Sequence, residues 1–376
     1  MIAILDIICL LLSVLYIVSA VFVVSGWIKI KRPQFKTSDF TTRVTVLIAA
    51  RNEEERIHLT IDAILAQDYP KALTEIIIVD DHSTDRTSQI IGSYAERGVK
   101  LLKLNEDKPL NSYKKKAIAE AIKLSSGELM VATDADCLMN SKWLSSVVGY
   151  YEKQQPVMIS SPVGYFEEKS LFERLQALEF SSLIATGGAF IGHGHASTCN
   201  GANLAYRKDI FYEVGGFSGI DDLASGDDEL LLQKVAARYP GRIGFLKWYD
   251  AIVFTHAKHN LKSFMQQRRR WASKSVKYKD KKVVGFVVGL WLFNVSVLLN
   301  LIAGIFNIHF LELFGLQYLI VLLAETALLL PVTSFFRRRS LMWLLPVFIP
   351  VYVLYFAYIG LLGNKGKYMW KDRLVR

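Results

Sequence analysis

Hydrophobic residues in this chain fall into two kinds of run, long ones at the ends and short ones between. Residues 7–27 (IICLLLSVLYIVSAVFVVSGW) carry no charge and are long enough to cross the ~30 Å of hydrocarbon in a bilayer. Three further apolar stretches, roughly 283–306, 311–335 and 341–363, lie near the other end. Between them the runs are short, aliphatic and nearly unbroken by polar residues. Val44–Ala50, Glu75–Asp81, Val99–Leu104 and Glu128–Thr133 read as buried strands. Helical spacing fills the gaps at about 53–66, 84–96, 112–124 and 141–153. Strands alternating with helices of that length predict an α/β domain on a mainly parallel sheet. In such sheets ligands bind beyond the carboxyl ends of the strands.

Residues 168–191 depart from this alternation. Lys169, Glu173, Arg174 and Glu179 are interspersed with Leu171, Phe172, Leu175, Leu178, Phe180 and Leu183, so the helix is amphipathic and grows more apolar along its length. Either a core helix or one lying in the membrane interface fits that pattern. The organisation expected is an anchor over 1–30, a catalytic domain over 44–260, a juxtamembrane segment over 261–282, about three membrane helices over 283–363 and a basic tail over 364–376.

Charge orients these pieces. No basic segment precedes residues 7–27, and Lys29, Lys31 and Arg32 follow directly, which indicates an uncleaved anchor with its C-terminal side in the cytoplasm. Lys279, Lys281 and Lys282 precede the next apolar stretch, and Arg337, Arg338 and Arg339 separate the last two. Strict alternation would then export the tail, yet Lys365, Lys367, Lys371, Arg373 and Arg376 make it basic. Three resolutions stay open: a translocated tail, a re-entrant segment at Pro346 and Pro350, or a misplaced span.

The formal net charge is +10. Ten of the basic residues fall within 258–282 against the single acid Asp280, beside a membrane segment. A strip so placed suits anionic lipid headgroups rather than nucleic acid. Cys9, Cys137 and Cys199 form neither a metal-binding spacing nor an even disulfide set, consistent with a reduced cytosolic face.

The chemistry concentrates at strand ends. Leu129–Cys137 (LMVATDADC) delivers Asp134 and Asp136 at the end of a hydrophobic run, where two carboxylates suit a hard cation such as Mg²⁺ or Mn²⁺ held against a diphosphate. Asp80 and Asp81 end the second strand, and Arg51 and Glu53 follow the first; together they outline a nucleotide pocket. Lys114, at the head of a helix, can reach a phosphate as a point charge. Thr198–Asn203 (TCNGAN) puts Gly201 and Asn203 where the backbone can come close to a ligand. Ser225–Leu231 (SGDDELL) opens a helix with Asp227 and Asp228; such acids complement the helix dipole or take a proton from an attacking hydroxyl. Gln267–Trp271 (QRRRW) joins guanidinium forks to a stacking ring just ahead of the membrane.

Taken together, these motifs resemble the membrane-embedded family 2 glycosyltransferases, a group that includes the cellulose, hyaluronan and poly-N-acetylglucosamine synthases. The likeness covers residues 44–275 and the membrane framing. It implies a GT-A type, Rossmann-like, mixed and mainly parallel sheet flanked by helices. It implies that Asp80 and Asp81 bind the nucleotide of a sugar donor, UDP by preference, with Arg51, Glu53, Lys114 and Asp134. Asp134 and Asp136 match the D-x-D metal motif. Gln267, Arg268, Arg270 and Trp271 match Q-x-x-R-W, expected near acceptor and pyrophosphate together with Asn203. Ser225-Gly226-Asp227 resembles the T-E-D motif, making Asp227 the base by register and Asp228 its neighbour in contention. Two departures stand out: Gly226 replaces the glutamate, and few helices are present to build a secretion channel. The reaction implied is an inverting transfer to a saccharide or lipid acceptor, in the manner of a polymer synthase or a ceramide-glucosyltransferase-like enzyme.

Other classes fit less well. A scaffold that had lost its chemistry would have emptied more positions than Gly226. A transporter needs intramembrane ionisable groups, and 283–363 offers only Glu312 and Glu325 as acids, the latter needing a partner or a water-filled cavity. His193 and His195 sit in a glycine-rich loop, and His256 at a strand end reads as packing.

Overall fold

The computed structural model describes residues 2–106, 110–274, 281–362, 368–370 and 373–375. The expected basic residues Lys277, Lys279, Lys365, Lys367, Lys371 and Arg376 lie outside the described residues. The chain divides into two compact units. One comprises residues 1–28, 168–189 and 258–366; the other comprises 29–167, 190–257 and 367–376.

The second unit holds the sheet. Its strands are β1 (Val44–Ala50), β2 (Thr74–Asp80), β3 (Val99–Lys103), β4 (Leu129–Asp134), β5 (Leu138–Met139), β6 (Met158–Ser160), β7 (Val163–Tyr165), β8 (Leu204–Arg207), β9 (Ile243–Phe245) and β10 (Val253–Thr255). Seven form one sheet in the order β3-β2-β1-β4-β8-β6-β9, and β5-β10-β7 form a small second one. β1, β2, β3 and β4 run parallel, while β8 is antiparallel to both of its neighbours. The helices of this unit are α2 (Ile57–Leu65), α3 (Thr87–Gly92), α4 (Tyr113–Leu124), α5 (Trp143–Gln154), α7 (Lys208–Glu213) and α8 (Glu229–Arg238). Val46, Leu47, Ile48, Ile77, Ile78, Met130 and Val131 are buried, which is why these strands lack the polar alternation of a half-exposed sheet.

Register decides where the chemistry goes. Ala50 lies opposite Asp80, and Ala49 opposite Asp134, so β1, β2 and β4 end at one edge. The expected helix at 53–66 starts later, at Ile57. Its forerunner is instead a turn whose amides bond a neighbouring loop: Glu53 donates to Thr87 Oγ1 at 2.8 Å and Glu54 to Asp85 at 3.2 Å.

The first unit contains α1 (Ile2–Lys29), α6 (Leu171–Gly192, shared at its C-terminal end), α9 (Leu261–Ser273), α10 (Lys281–Ala303), α11 (Ile308–Phe335) and α12 (Leu345–Leu362). Four helical stretches here are long and apolar enough to cross a membrane: 2–29, 283–303, 308–335 and 339–361. Several of their side chains meet one another. Tyr16 stacks on Phe293 at 4.2 Å, Asn300 donates to Gln317 at 2.9 Å, and Gln317 donates to Ser296 at 3.0 Å. Glu325, the acid that needed a partner, accepts from the Tyr16 hydroxyl at 3.3 Å. Last in the chain come β11 (Tyr368–Trp370) and β12 (Arg373–Val375), an antiparallel pair.

Candidate active site

Around the shared edge, each element presents one charged group. Asp80, almost fully buried at the end of β2, accepts from the Ser83 amide at 3.1 Å and so closes the turn into α3. Asp81 is 2% exposed. Its carboxylate accepts from Arg373 at 2.8 and 2.9 Å, and the Arg373 guanidinium lies 3.6 Å from the centre of the Tyr113 ring. Thus Arg373 takes up both the hydrogen-bond acceptor edge of Asp81 and the aromatic face of Tyr113. Arg51 does not reach outward: it donates to the carbonyls of Asp81 and His82 at 2.9 and 2.7 Å, shaping the pocket wall. Glu53 sits in the turn before α2.

Lys114, in the first turn of α4, spans two strands' worth of chemistry. Its ammonium is 2.7 Å from Asp134 and 3.1 Å from Asp227. Burial works against its charge, but Asp134 and Asp227 outweigh this and hold its proton above the ordinary lysine value. The lysine expected to meet a phosphate is, in this structure, the counter-ion joining the two carboxylates.

Asp134 and Asp136 are half-exposed, and with Cys137 their ligand atoms lie within 4.8 Å of one another. The Cys137 sulfur is fully buried and 3.9 Å from Asp136 Oδ1. Burial, then the neighbouring Asp136, pushes its thiol well up, so it stays protonated and a poor ligand. That leaves two carboxylates open to solvent, a donor set that fits Mg²⁺ or Mn²⁺ completed by diphosphate oxygens. The turn between them is fastened from behind, where Thr60 donates to the Ala135 carbonyl at 2.9 Å.

The two candidate bases separate clearly. Asp228 accepts from the Glu229 amide at 2.7 Å, capping α8, and from the Gly201 amide at 2.9 Å. Both aspartates line a small cavity with Lys114, Thr133, Gly201 and Tyr206, and what distinguishes Asp227 there is its 3.1 Å contact with the Lys114 ammonium. Gly201 has to be glycine for this approach, since a Cβ there would meet Asp228 Cβ at 3.2 Å and Asp227 Oδ2 at 3.3 Å. The glutamate missing from the acidic motif also has a reason. Gly226 sits at φ +83°, in the left-handed region, and a Cβ would come within 2.9 Å of Leu230.

Two expected contacts with acceptor or pyrophosphate are corrected. Asn203 is 1% exposed and fully committed: it accepts from Trp143 at 3.0 Å and donates to the carbonyls of Pro162 and Ala251 at 2.8 and 2.7 Å. Arg268 is 3% exposed, its guanidinium paired with Glu179 of α6 and held between Phe264 and Trp271. Gln267 accepts from Arg268 at 2.6 Å, and Trp271 stacks on Phe180 at 5.8 Å. A buried charge with a carboxylate partner is costly to leave, so these side chains bind α9 to α6 rather than wait for a ligand. Arg270 is half-buried on the same helix.

The buried pair makes a quantitative prediction. Arg268→Ala strands the Glu179 carboxylate and lowers stability by about 3–5 kcal/mol. Arg268→Met combined with Glu179→Leu recovers most of that loss. Thermal unfolding of both variants in the same detergent measures the difference, and equal melting temperatures would refute it.

Sheet order and acid-ended strands together define a GT-A fold. The fold is shared with the mannosyltransferase PcManGT from Pyrobaculum calidifontis, solved in complex with GDP-Man and Mn²⁺, at a TM-score of 0.57 and 20% identity over 91% of this chain and 98% of that one. Residues 45–215 match the family described as Glycosyl transferase family 2. It is 30% identical over 249 residues to the probable glycosyltransferase YdaM of Bacillus subtilis (strain 168), covering 61% of this chain and 54% of the relative. It is 24% identical over 248 residues to the poly-beta-1,6-N-acetyl-D-glucosamine synthase of Staphylococcus aureus (strain COL), covering 64% and 56%. The chain spans about half the length of these curated relatives.

Proposed function

We propose that this chain transfers a hexosyl or N-acetylhexosaminyl group from a nucleotide sugar, a UDP-sugar by preference, to a membrane-held saccharide or lipid, with inversion. The observation that carries the reading is the Lys114 bridge, which brings the metal-site carboxylate Asp134 and the base candidate Asp227 to one ammonium at 2.7 and 3.1 Å. Asp80 and Asp81 accept from the nucleoside, with Tyr113 as the stacking face. Asp134 and Asp136 would hold a divalent cation, which would supply charge neutralisation to the leaving diphosphate. Lys114 shields Asp227 from Asp134. Asp227 takes the proton of the acceptor hydroxyl as the oxygen attacks the anomeric carbon from the face opposite the diphosphate.

Four helical stretches long and apolar enough to cross a membrane support an integral membrane arrangement, with α12, which contains Pro350, either crossing or turning back. α6 is read as an interfacial helix. Lys29, Lys31, Arg32 and Arg337–Arg339 support a cytoplasmic catalytic face at the plasma or inner membrane.

A processive polymer synthase is the second reading, favoured by the similarity to the poly-N-acetylglucosamine synthase. The small number of membrane-length helices, four among the described residues, favours single transfer instead. The test is nucleotide release from UDP-glucose, UDP-GlcNAc and GDP-mannose by the lipid-reconstituted protein, with radiolabelled product resolved by size. One donor is expected to be turned over, giving a single organic-soluble product; a ladder would establish the polymer reading. No release from any donor, with membrane lipids and oligosaccharides supplied, would refute both.

A further inference from the structure

Lys115 is a buried charge that the mechanism above does not use. It is 1% exposed, and its ammonium donates to the carbonyls of Ile220, Leu223 and Ser225 at 2.7, 2.6 and 2.7 Å. An ammonium has three N–H donors, and these three acceptors use them all. The carbonyls belong to one irregular segment, 218–228, that joins Phe217 to α8. The last of them, Ser225, is two residues before Asp227, with Gly226 at φ +83° between.

We propose that Lys115 is a positioning residue for the transfer reaction: it folds the 220–225 loop around its ammonium and thereby fixes where Asp227 stands against Asp134. The inference rests on reading Asp227 as the base. A loop of this kind has no strand or helix ladder to set its shape, so the convergence of three carbonyls on one cation does so. Consecutive lysines of α4 therefore divide the work. Lys114 touches the carboxylates directly, and Lys115 holds the backbone that carries one of them. Burial pulls the Lys115 ammonium down to about 8, and Asp227, Asp228, Asp222 and Asp221 oppose that shift only in part, so the three carbonyls are what hold the side chain in place. No carboxylate takes a hydrogen bond from Lys115 among the described residues, so its partners are carbonyl dipoles and the loop's conformation is what it stabilises.

The test separates positioning from folding and from donor binding. Lys115→Met keeps the chain length and removes the donors. Nucleotide release is expected to fall about a hundredfold in kcat, the order expected when a reacting group is displaced by about 1 Å. Binding of UDP with Mn²⁺ by calorimetry should stay within about twofold, since Asp80, Asp81, Asp134 and Asp136 are held by strand ends and not by this loop. In Lys115→Ala, added propylammonium should restore part of the lost kcat, while Asp227→Asn should not respond. Lys115→Arg, whose planar fork cannot converge on three carbonyls, should stay impaired. Should Lys115→Met not accumulate as folded protein, the Arg variant serves for the rate and the Ala variant for amine rescue. A kcat near wild type in Met or Arg, no amine rescue, or a fall in UDP binding equal to the fall in kcat would each overturn the proposal. An active Asp227→Asn would instead remove the reading on which it rests.

Discussion

Asp227→Asn keeps the fold and the donor affinity and lowers transfer by about 10²–10⁴-fold, the contribution of a well-placed general base. Asparagine matches the shape of the carboxylate and can still accept from Lys114, so the bridge at 3.1 Å loses charge but not its contact. What it cannot do is take a proton from the acceptor hydroxyl. Asp228→Asn has a different signature. Its carboxylate caps α8 and accepts from the Gly201 amide, and since asparagine caps about as well as aspartate, its change should cost less than about 1 kcal/mol of stability with a smaller rate effect. Radiolabel transfer and UDP binding, measured on both variants beside thermal unfolding, separate the two. A rate for Asp227→Asn within a few-fold of wild type, or a larger loss in Asp228→Asn, would reverse the assignment.

Stripping divalent cations with a chelator abolishes transfer, and Mn²⁺ or Mg²⁺ restores it to the wild-type protein but not to Asp136→Asn. The cation is expected to supply several kcal/mol toward the leaving diphosphate, a rate factor of about 10³ or more. The carboxylates that would hold it are open to solvent, while Cys137 beside them is buried and protonated. The preference should therefore be for oxygen-seeking ions, with thiol-seeking ions such as Cd²⁺ supporting transfer poorly. Lys114 alone cannot replace the cation, because its charge is already shared between Asp134 and Asp227. Full activity in chelator would rule out this use of Asp134 and Asp136.

Much of this site could be read from the chain because it depends on strands. Buried parallel strands announce themselves as unbroken aliphatic runs, and their ends place Asp80 and Asp134 without knowledge of anything else. Residues on helices and loops were harder. Arg268 and Trp271 have the composition of a ligand-binding motif. What turns Arg268 inward is Glu179, nearly ninety positions earlier, and no local pattern links the two. Asn203 was misjudged for a similar reason, since its three partners come from separate segments. Lys115 was legible in principle. It precedes Ile118 by three and Ile122 by seven, on the stripe that α4 buries, yet the run Lys114-Lys115-Lys116 reads as a solvated face. Arg373 had no signal at all, because a tail's fold-back is set by what it finds there.

Interleaving of the two units has a consequence for how the protein is made. α6 leaves the ribosome after most of the sheet but before α9, α10, α11 and α12, the later segments of its own unit. Its apolar face must therefore be sheltered during synthesis, by the bilayer surface or a chaperone, until residues 258–366 arrive. A fragment cut at 44–260 would strand that face permanently, so the catalytic unit cannot be released as a soluble enzyme by trimming its anchors. The Arg373–Asp81 bond can form only after every helix encoded before Arg373 has been made, so the edge at Asp81 takes its described form late in synthesis.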